Sequence, residues 1–198
     1  DIELTVDPVF ALYNSLNTVR QKIKGKLEIG ISVRPWSVDY IEELATALNK
    51  FSQSKNCRFL IFPMHQGSDE NISDELESRL DAESKIVNLP ADPKKALEEF
   101  SQLDLFVGVR LHSLIFALLN QIPLLALSYD PKIEGLMEEL DYLPLIKVED
   151  LEPSQAAEKM EYLLEERYTL RKKIKEYIKN KKSKAEDFAA QVLEEVSS

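Results

Sequence analysis

The sequence predicts an α/β fold: a doubly wound, mostly parallel sheet of about six strands with C-terminal helices. Three observations predict it. Six strand-length aliphatic segments recur between residues 26 and 148. They run almost continuously apolar instead of alternating, the pattern of parallel strands covered on both faces. Segments with helical spacing lie between them, and strand–helix alternation builds a parallel sheet wound on both sides.

The first strand is KLEIGISV at 26–33, and a helix follows over 38–53. Ile41, Leu44, Ala45, Leu48 and Phe51 fall at helical intervals there with charges opposite, and Ser37 is placed to cap its start. CRFLIF at 57–62 is the second strand, followed by a helix over about 70–80. SKIVNL at 84–89 is the third; after it Asp92 stands as N-cap and Pro93 in the first turn of a helix over 93–101. LDLFVG at 103–108 and PLLALS at 123–128 flank a helix over 111–120. A helix over 132–140 leads to the last strand, LPLIKV at 143–148. From Glu152 onward the chain reads as helix, and its basic run RKKIKEYIKNKKSK is a solvated face with Leu, Ile and Tyr on the packed side. The division expected is an α/β domain over 1–150 and a helical segment over 151–198 that packs on it.

Composition narrows the function. The 198 residues carry a net charge of −10, which argues against nonspecific binding to nucleic acid or anionic membrane. An anionic ligand therefore needs a local basic site. Cys57 is the single cysteine, so no intramolecular disulfide forms, and its apolar setting predicts a buried, inert thiol in a reducing cytoplasm. No apolar run approaches the roughly 18 residues that cross a bilayer, and no signal peptide opens the chain. Because it starts at Asp1 in DIELTVDPVF, the expectation is a soluble, excised domain.

Open parallel sheets bind ligands beyond the carboxyl ends of their strands, so the loops there are where chemistry is expected. Arg34 follows the first strand, His65 and Asp69 the second, Arg110 and His112 the fourth, and Tyr129, Asp130 and Lys132 the fifth. Both histidines of the chain fall in this set. Alone, Arg34 also reads as a surface charge, His65 as part of a polar turn and Asp69 as a helix cap. The segment GVRLHS says more. Gly108 ends a buried strand and a helix starts near Leu111, so unpaired N–H groups and a positive dipole end meet an arginine and a titratable histidine. That combination reads as an anion site. The structural alternative pairs Arg110 with an acidic residue and makes His112 an ordinary helix-start residue. No cysteine or histidine spacing indicates a metal, and neither a P-loop nor G-x-G-x-x-G is present.

GVRLHSLIFALLNQIPLLALSYDPKIEGLMEEL, together with GISVRPW and DPVFAL upstream, resembles the polysaccharide pyruvyl transferase family, particularly its bacterial cell-wall type. RLHSLIFA followed by SYDPK is similar to the most recognisable signature of that family, and VDPVF to its motif between domains. The resemblance covers most of residues 5–145 and implies a Rossmann-like C-terminal half of a GT-B-type architecture, the N-terminal half being absent. It implies transfer of pyruvate from phosphoenolpyruvate to a sugar as a cyclic ketal, with no cofactor beyond that donor. By position, Arg34, Arg110, Leu111 and Lys132 match donor-binding residues, and His112 is the candidate acid/base. His65, Asp69, Tyr129 and Asp130 are candidate cleft residues without a firm match.

The acceptor implied is a nucleotide- or lipid-linked sugar; a lipid-linked one places the protein at the inner face of the cell membrane, with the basic helix from Arg171 to Lys184 near the surface. Two rivals stand beside this reading: a GT-B glycosyltransferase domain that holds a nucleotide sugar, and a non-catalytic anion- or sugar-binding domain.

Overall fold

A computed structural model of the chain describes residues 7–15 and 25–196. Its centre is a six-stranded, wholly parallel sheet in the order β3-β2-β1-β4-β5-β6. The strands are β1 Leu27–Ser32, β2 Cys57–Ile61, β3 Ser84–Ile86, β4 Leu105–Gly108, β5 Leu124–Ser128 and β6 Leu145–Lys147. The helices are α1 Ile41–Gln53, α2 Glu70–Ser78, α3 Pro93–Glu99, α4 Leu111–Leu119, α5 Pro131–Glu138, α6 Pro153–Glu165 and α7 Arg167–Val196. Short 3₁₀ turns occupy Pro8–Ser15, Phe100–Gln102 and Val148–Asp150.

Burial explains the order. Every residue of β4 and β5 is buried, as is all of β1 after Leu27, whereas β3 and β6 at the edges are short and partly exposed. A central strand with both faces covered must be apolar throughout, which is why these segments do not alternate. On one side α6 packs along α1; on the other α4, α7 and the turn at Pro8–Ser15 pack together. In α1 the inward stripe is Ile41, Leu44, Ala45, Ala47, Leu48 and Phe51, and each of its large side chains contributes roughly 1.5–3 kcal/mol by leaving water. Phe100 is the hub of an aromatic cluster, with ring centres 4.6 Å from Phe62, 5.3 Å from Phe106 and 5.6 Å from Phe116.

Several boundaries differ from the sequence expectation for local reasons. Helix α1 starts at Ile41, and Ser37 is exposed and three residues short of its N-cap, Tyr40. Tyr40 is buried, and its hydroxyl ties back to the backbone of Arg34, so residues 35–39 close a loop instead of a first helical turn. The fourth strand starts at Leu105, because Asp104 turns its carboxylate onto the Glu28 amide at 3.1 Å. Strand β6 is three residues long: Pro144 precedes it without an N–H, and Val148 opens a 3₁₀ turn. Asp92 caps α3 as its sequence predicts, accepting from the Lys94 amide at 2.9 Å ahead of Pro93.

The basic run lies in α7, where Leu170, Ile174 and Ile178 are buried and most of the lysines are exposed, while Lys181 is largely covered and pairs with Glu139. No described helix is long and apolar enough to cross a membrane. Cys57 is buried, and burial pushes its thiol above the usual range.

Candidate functional site

In a doubly wound sheet the ligand crevice opens where the winding reverses, beyond the carboxyl ends of the strands. Here the reversal lies between β1 and β4. Ser32 pairs with Gly108 in register. Arg34 and Arg110, each two residues farther on, therefore leave neighbouring strands side by side, and adjacent strands lie only about 4.8 Å apart. The loops after β2 and β5 flank them with His65 and Asp69 on one side and Tyr129 to Lys132 on the other.

Arg34 is held by two aromatic rings. Its Nη1 donates to the Tyr129 hydroxyl at 2.5 Å, and its guanidinium carbon lies 4.8 Å from the Tyr129 ring centre and 5.4 Å from that of Trp36. The two rings touch each other, with centroids 4.3 Å apart. A planar cation between two aromatic faces keeps its charge and loses its freedom. The backbone beneath is pinned by Tyr40, whose hydroxyl accepts from Arg34 N at 3.0 Å and donates to Arg34 O at 2.8 Å. Burial holds that phenol well above its ordinary value, so it stays protonated and both bonds persist.

Arg110 occupies the N-cap position of α4 in an extended conformation, and its side chain makes no cap bond. A first turn without a capping side chain keeps its N–H groups and its positive dipole end for another partner. The turn is pressed against the end of β4. A Cβ at Gly108 would lie 2.5 Å from the Phe106 ring, with Ser113 Oγ at 3.1 Å and Leu114 Cδ2 at 3.3 Å, so only hydrogen fits between the strand end and the start of the helix. Ser113 Oγ donates to the Arg110 carbonyl at 2.7 Å and closes the corner.

Asp69 behaves differently from its sequence reading as a cap or a cleft residue. It stands at the N-cap position of α2, yet its side chain bonds none of that helix's amides. Fully buried, it accepts from Met64 N at 3.2 Å and His65 N at 3.0 Å, and from Arg110 Nη2. A guanidinium and two loop amides form a stronger, charge-assisted set than a helix end offers, which is why the carboxylate turns inward. Arg110 thus has the acidic partner that the structural alternative foresaw. Its Nε remains covered and without an acceptor, as does that of Arg34. Both Nε atoms are covered, so what the pair offers an anion in the crevice is the charge and the remaining guanidinium nitrogens.

The remaining residues fall around this centre. His112 is 63% exposed, and its Nε2 lies 3.6 Å from Asp7 Oδ2. That separation is electrostatic contact rather than a hydrogen bond. Asp7 is anchored in turn, its Oδ1 accepting from Val9 N at 3.0 Å. Leu111 is half-buried against the core, and His65 is exposed. Asp130 caps α5 by accepting from Lys132 N at 2.8 Å, which leaves the Lys132 side chain exposed on the first turn.

The structure therefore gathers Arg34 with Tyr129, Arg110 with Asp69, and His112 with Asp7. Sequence reasoning missed Trp36, Tyr40 and Asp7 as parts of the site. Trp36 stands in the quoted RPW and Asp7 in DPVF, but partners in a ring stack or a carboxylate–imidazole contact at a sequence separation of about a hundred residues leave no local signal. No cluster of three or more metal-ligating side chains occurs among the described residues.

Comparison with known proteins places this arrangement. The family model described as polysaccharide pyruvyl transferase matches residues 1–131, two thirds of the chain, including both arginines and both histidines. The chain belongs to the polysaccharide pyruvyl transferase family.

No individually curated protein matches it in sequence. Among solved structures, this pyruvyl transferase family member is similar to an O-GlcNAc transferase of Thermobaculum terrenum, at TM-score 0.60 and 15% identity over 86% of this chain and 35% of that one. It is similar to a trehalose-6-phosphate synthase, at TM-score 0.58 and 15% identity over 95% of this chain and 50% of that one. A UDP-GlcNAc 2-epimerase from Neisseria meningitidis bound to UDP-GlcNAc aligns at TM-score 0.59 and 13% identity over 86% of this chain and 45% of that one. At such identities the likeness concerns the fold, which is that of the α/β halves of GT-B enzymes. The chain spans between 35% and 50% of the length of these proteins.

Proposed function

We propose that this chain is the donor-binding part of a polysaccharide pyruvyl transferase that moves pyruvate from phosphoenolpyruvate onto two hydroxyls of a sugar as a cyclic ketal. The sugar belongs to a cell-wall or surface polysaccharide precursor, nucleotide- or lipid-linked, handled in the cytoplasm or at the inner face of the membrane. The observation that carries the reading is the pair Arg34 and Arg110, leaving neighbouring strands side by side at the switch point, with a helix N-terminus that has no capping side chain directly after Arg110.

Phosphoenolpyruvate presents a carboxylate and a phosphate on adjacent atoms, and two guanidinium groups in neighbouring loops suit two such anions. The first N–H groups of α4, including that of Leu111, add fixed donors, and Lys132 adds a mobile cation at the rim. In the reaction a proton goes to the methylene carbon, which becomes the methyl group, and the first sugar oxygen bonds to the adjacent carbon. The C–O bond to phosphate then breaks as the second sugar oxygen bonds to the same carbon. One hydroxyl proton ends on the methyl group and the other on phosphate, so atoms balance. Arg34 and Arg110 stabilise charge on the departing phosphate. His112 is the acid/base, exposed toward incoming hydroxyls, with the Asp7 carboxylate 3.6 Å from its Nε2.

A nucleotide-sugar donor suits these loops less well. Diphosphate sites of that kind use a glycine-rich turn, whereas the β1 loop here is RPWSVDY and the five glycines lie apart at 25, 30, 67, 108 and 135. The test is a thermal-shift comparison of phosphoenolpyruvate with UDP-sugars, followed by phosphate release from the full-length protein with candidate acceptors. His112→Ala is expected to abolish transfer with the fold intact, and Arg110→Ala to weaken phosphoenolpyruvate binding in calorimetry. Full activity in the first variant, or unchanged affinity in the second, rejects the assigned role.

A further inference from the structure

Beside Arg34 the surface opens into a groove of about 390 Å³ between the β1–α1 loop and the first turns of α2, lined by Trp36, Val38, Asp39, Ser68, Asn71 and Ile72, with Glu75 at one end. Two of the four large hydrophobic residues exposed among the described residues, Trp36 at 44% and Val38 at 38%, lie in this one place. An exposed tryptophan in a surface loop loses favourable burial, and here its orientation is maintained: the indole packs on Tyr129, which Arg34 in turn holds by a hydrogen bond. The loop itself is closed by Tyr40. So the platform is rigid before any ligand arrives.

From this arrangement we infer that the groove is a subsite for a neutral pyranose ring, stacked on Trp36 and hydrogen-bonded through its hydroxyls by Asp39, Ser68 and Asn71. The chemistry selects that class. An aromatic face next to Val38 and Ile72 suits the apolar C–H face of a sugar, and amide, hydroxyl and carboxylate groups suit its polar edge. The groove lining holds no cationic side chain and Asp39 adds a negative charge, Glu75 being paired with Arg79 at 2.7 Å, so neither a diphosphate nor a second phosphoenolpyruvate belongs in it. The cations lie next door in the switch-point crevice. A neutral polyol and an anionic donor are thus sorted by charge into adjoining spaces, with Trp36 and Arg34 sharing the Tyr129 ring at the boundary. Naming this sugar as the acceptor rests on the function proposed above; the binding site itself does not.

Trp36 is the single tryptophan of the chain, so its emission reports on the groove directly. The protein is titrated with neutral methyl pyranosides of gluco, galacto and manno configuration and their N-acetylated forms, with uridine as the competing class. At least one pyranoside is expected to shift Trp36 emission saturably. Its affinity is expected to fall about tenfold in Asn71→Ala, the loss of one good hydrogen bond to a ligand. Calorimetry on Trp36→Ala is expected to show no binding of the same sugar, while circular dichroism remains that of the folded protein. Emission unmoved by every pyranoside, a response to uridine alone, or unchanged affinity in Asn71→Ala overturns the inference. The donor arm is separate: phosphoenolpyruvate is titrated against Arg110→Ala. Its failure with the sugar response intact removes the proposed reaction and leaves the subsite, and the converse removes only the subsite.

Discussion

Replacing Asp69 with asparagine isolates the one charge that joins the β2 and β4 loops. The carboxylate is fully buried and accepts from two backbone amides and from Arg110, whose side chain is 19% exposed. Breaking a buried ion pair from one side costs roughly 3–5 kcal/mol, because the surviving charge is left without its partner. Two features lower that here. Water reaches part of Arg110, and the asparagine oxygen still serves the Met64 and His65 amides, although its NH2 then faces the Arg110 guanidinium donor to donor. The expected loss in Asp69→Asn is therefore about 2–3 kcal/mol. The double variant Asp69→Asn/Arg110→Met has no stranded charge and is expected to recover at least about 1 kcal/mol of it. Urea titration followed by far-ultraviolet circular dichroism measures all four corners of the cycle. A single variant within about 0.5 kcal/mol of the parent, or single losses that simply add in the double, would refute the claim that Asp69 holds Arg110 in place.

Two further outcomes follow from the packing and the charges. Phe100→Ala removes the ring that touches Phe62, Phe106 and Phe116 and is expected to cost about 3–5 kcal/mol in the same titration; a loss under half of that would mean the cluster collapses into the gap. At Glu139 burial raises the carboxyl, but hydrogen bonds from Lys181 at 2.8 Å and Tyr177 at 3.0 Å outweigh it and hold the group below its ordinary value. A lowered folded value means that its contribution is complete above the ordinary carboxylate range and fades as pH falls through the lowered one. Lys181→Met is therefore expected to flatten the acid side of the stability–pH curve and to converge with the parent at low pH. The effect stays below about 1 kcal/mol, because the Glu139 side chain is half exposed. Equal slopes in both proteins exclude the pairing.

The fold was legible wherever local chemistry had a single outcome. Unbroken apolar runs in β4 and β5 demand cover on both faces, and Asp92–Pro93 starts a helix whatever surrounds it. Boundaries were less legible where a distant partner intervened. Tyr40 reaching back to Arg34 displaces the start of α1, and Asp104 reaching to Glu28 shortens β4. In the site, residue types at strand ends marked Arg34, Arg110 and His112, since a parallel sheet brings those ends to one edge. Asp69 was misread because its helix-start position is a local fact, while the guanidinium it serves comes from 41 residues away.

By itself, then, the sequence determined the layers, the sheet and the edge at which chemistry gathers, because periodicity and strand polarity are properties of neighbouring residues. Only the tertiary structure decided which groups meet at that edge. The β1–β4 register sets Arg34 beside Arg110, Asp69 fills the space behind Arg110, and Trp36 and Tyr129 close on Arg34 from loops 93 residues apart. Such contacts depend on strand order and twist, which bring together side chains that the sequence keeps far apart.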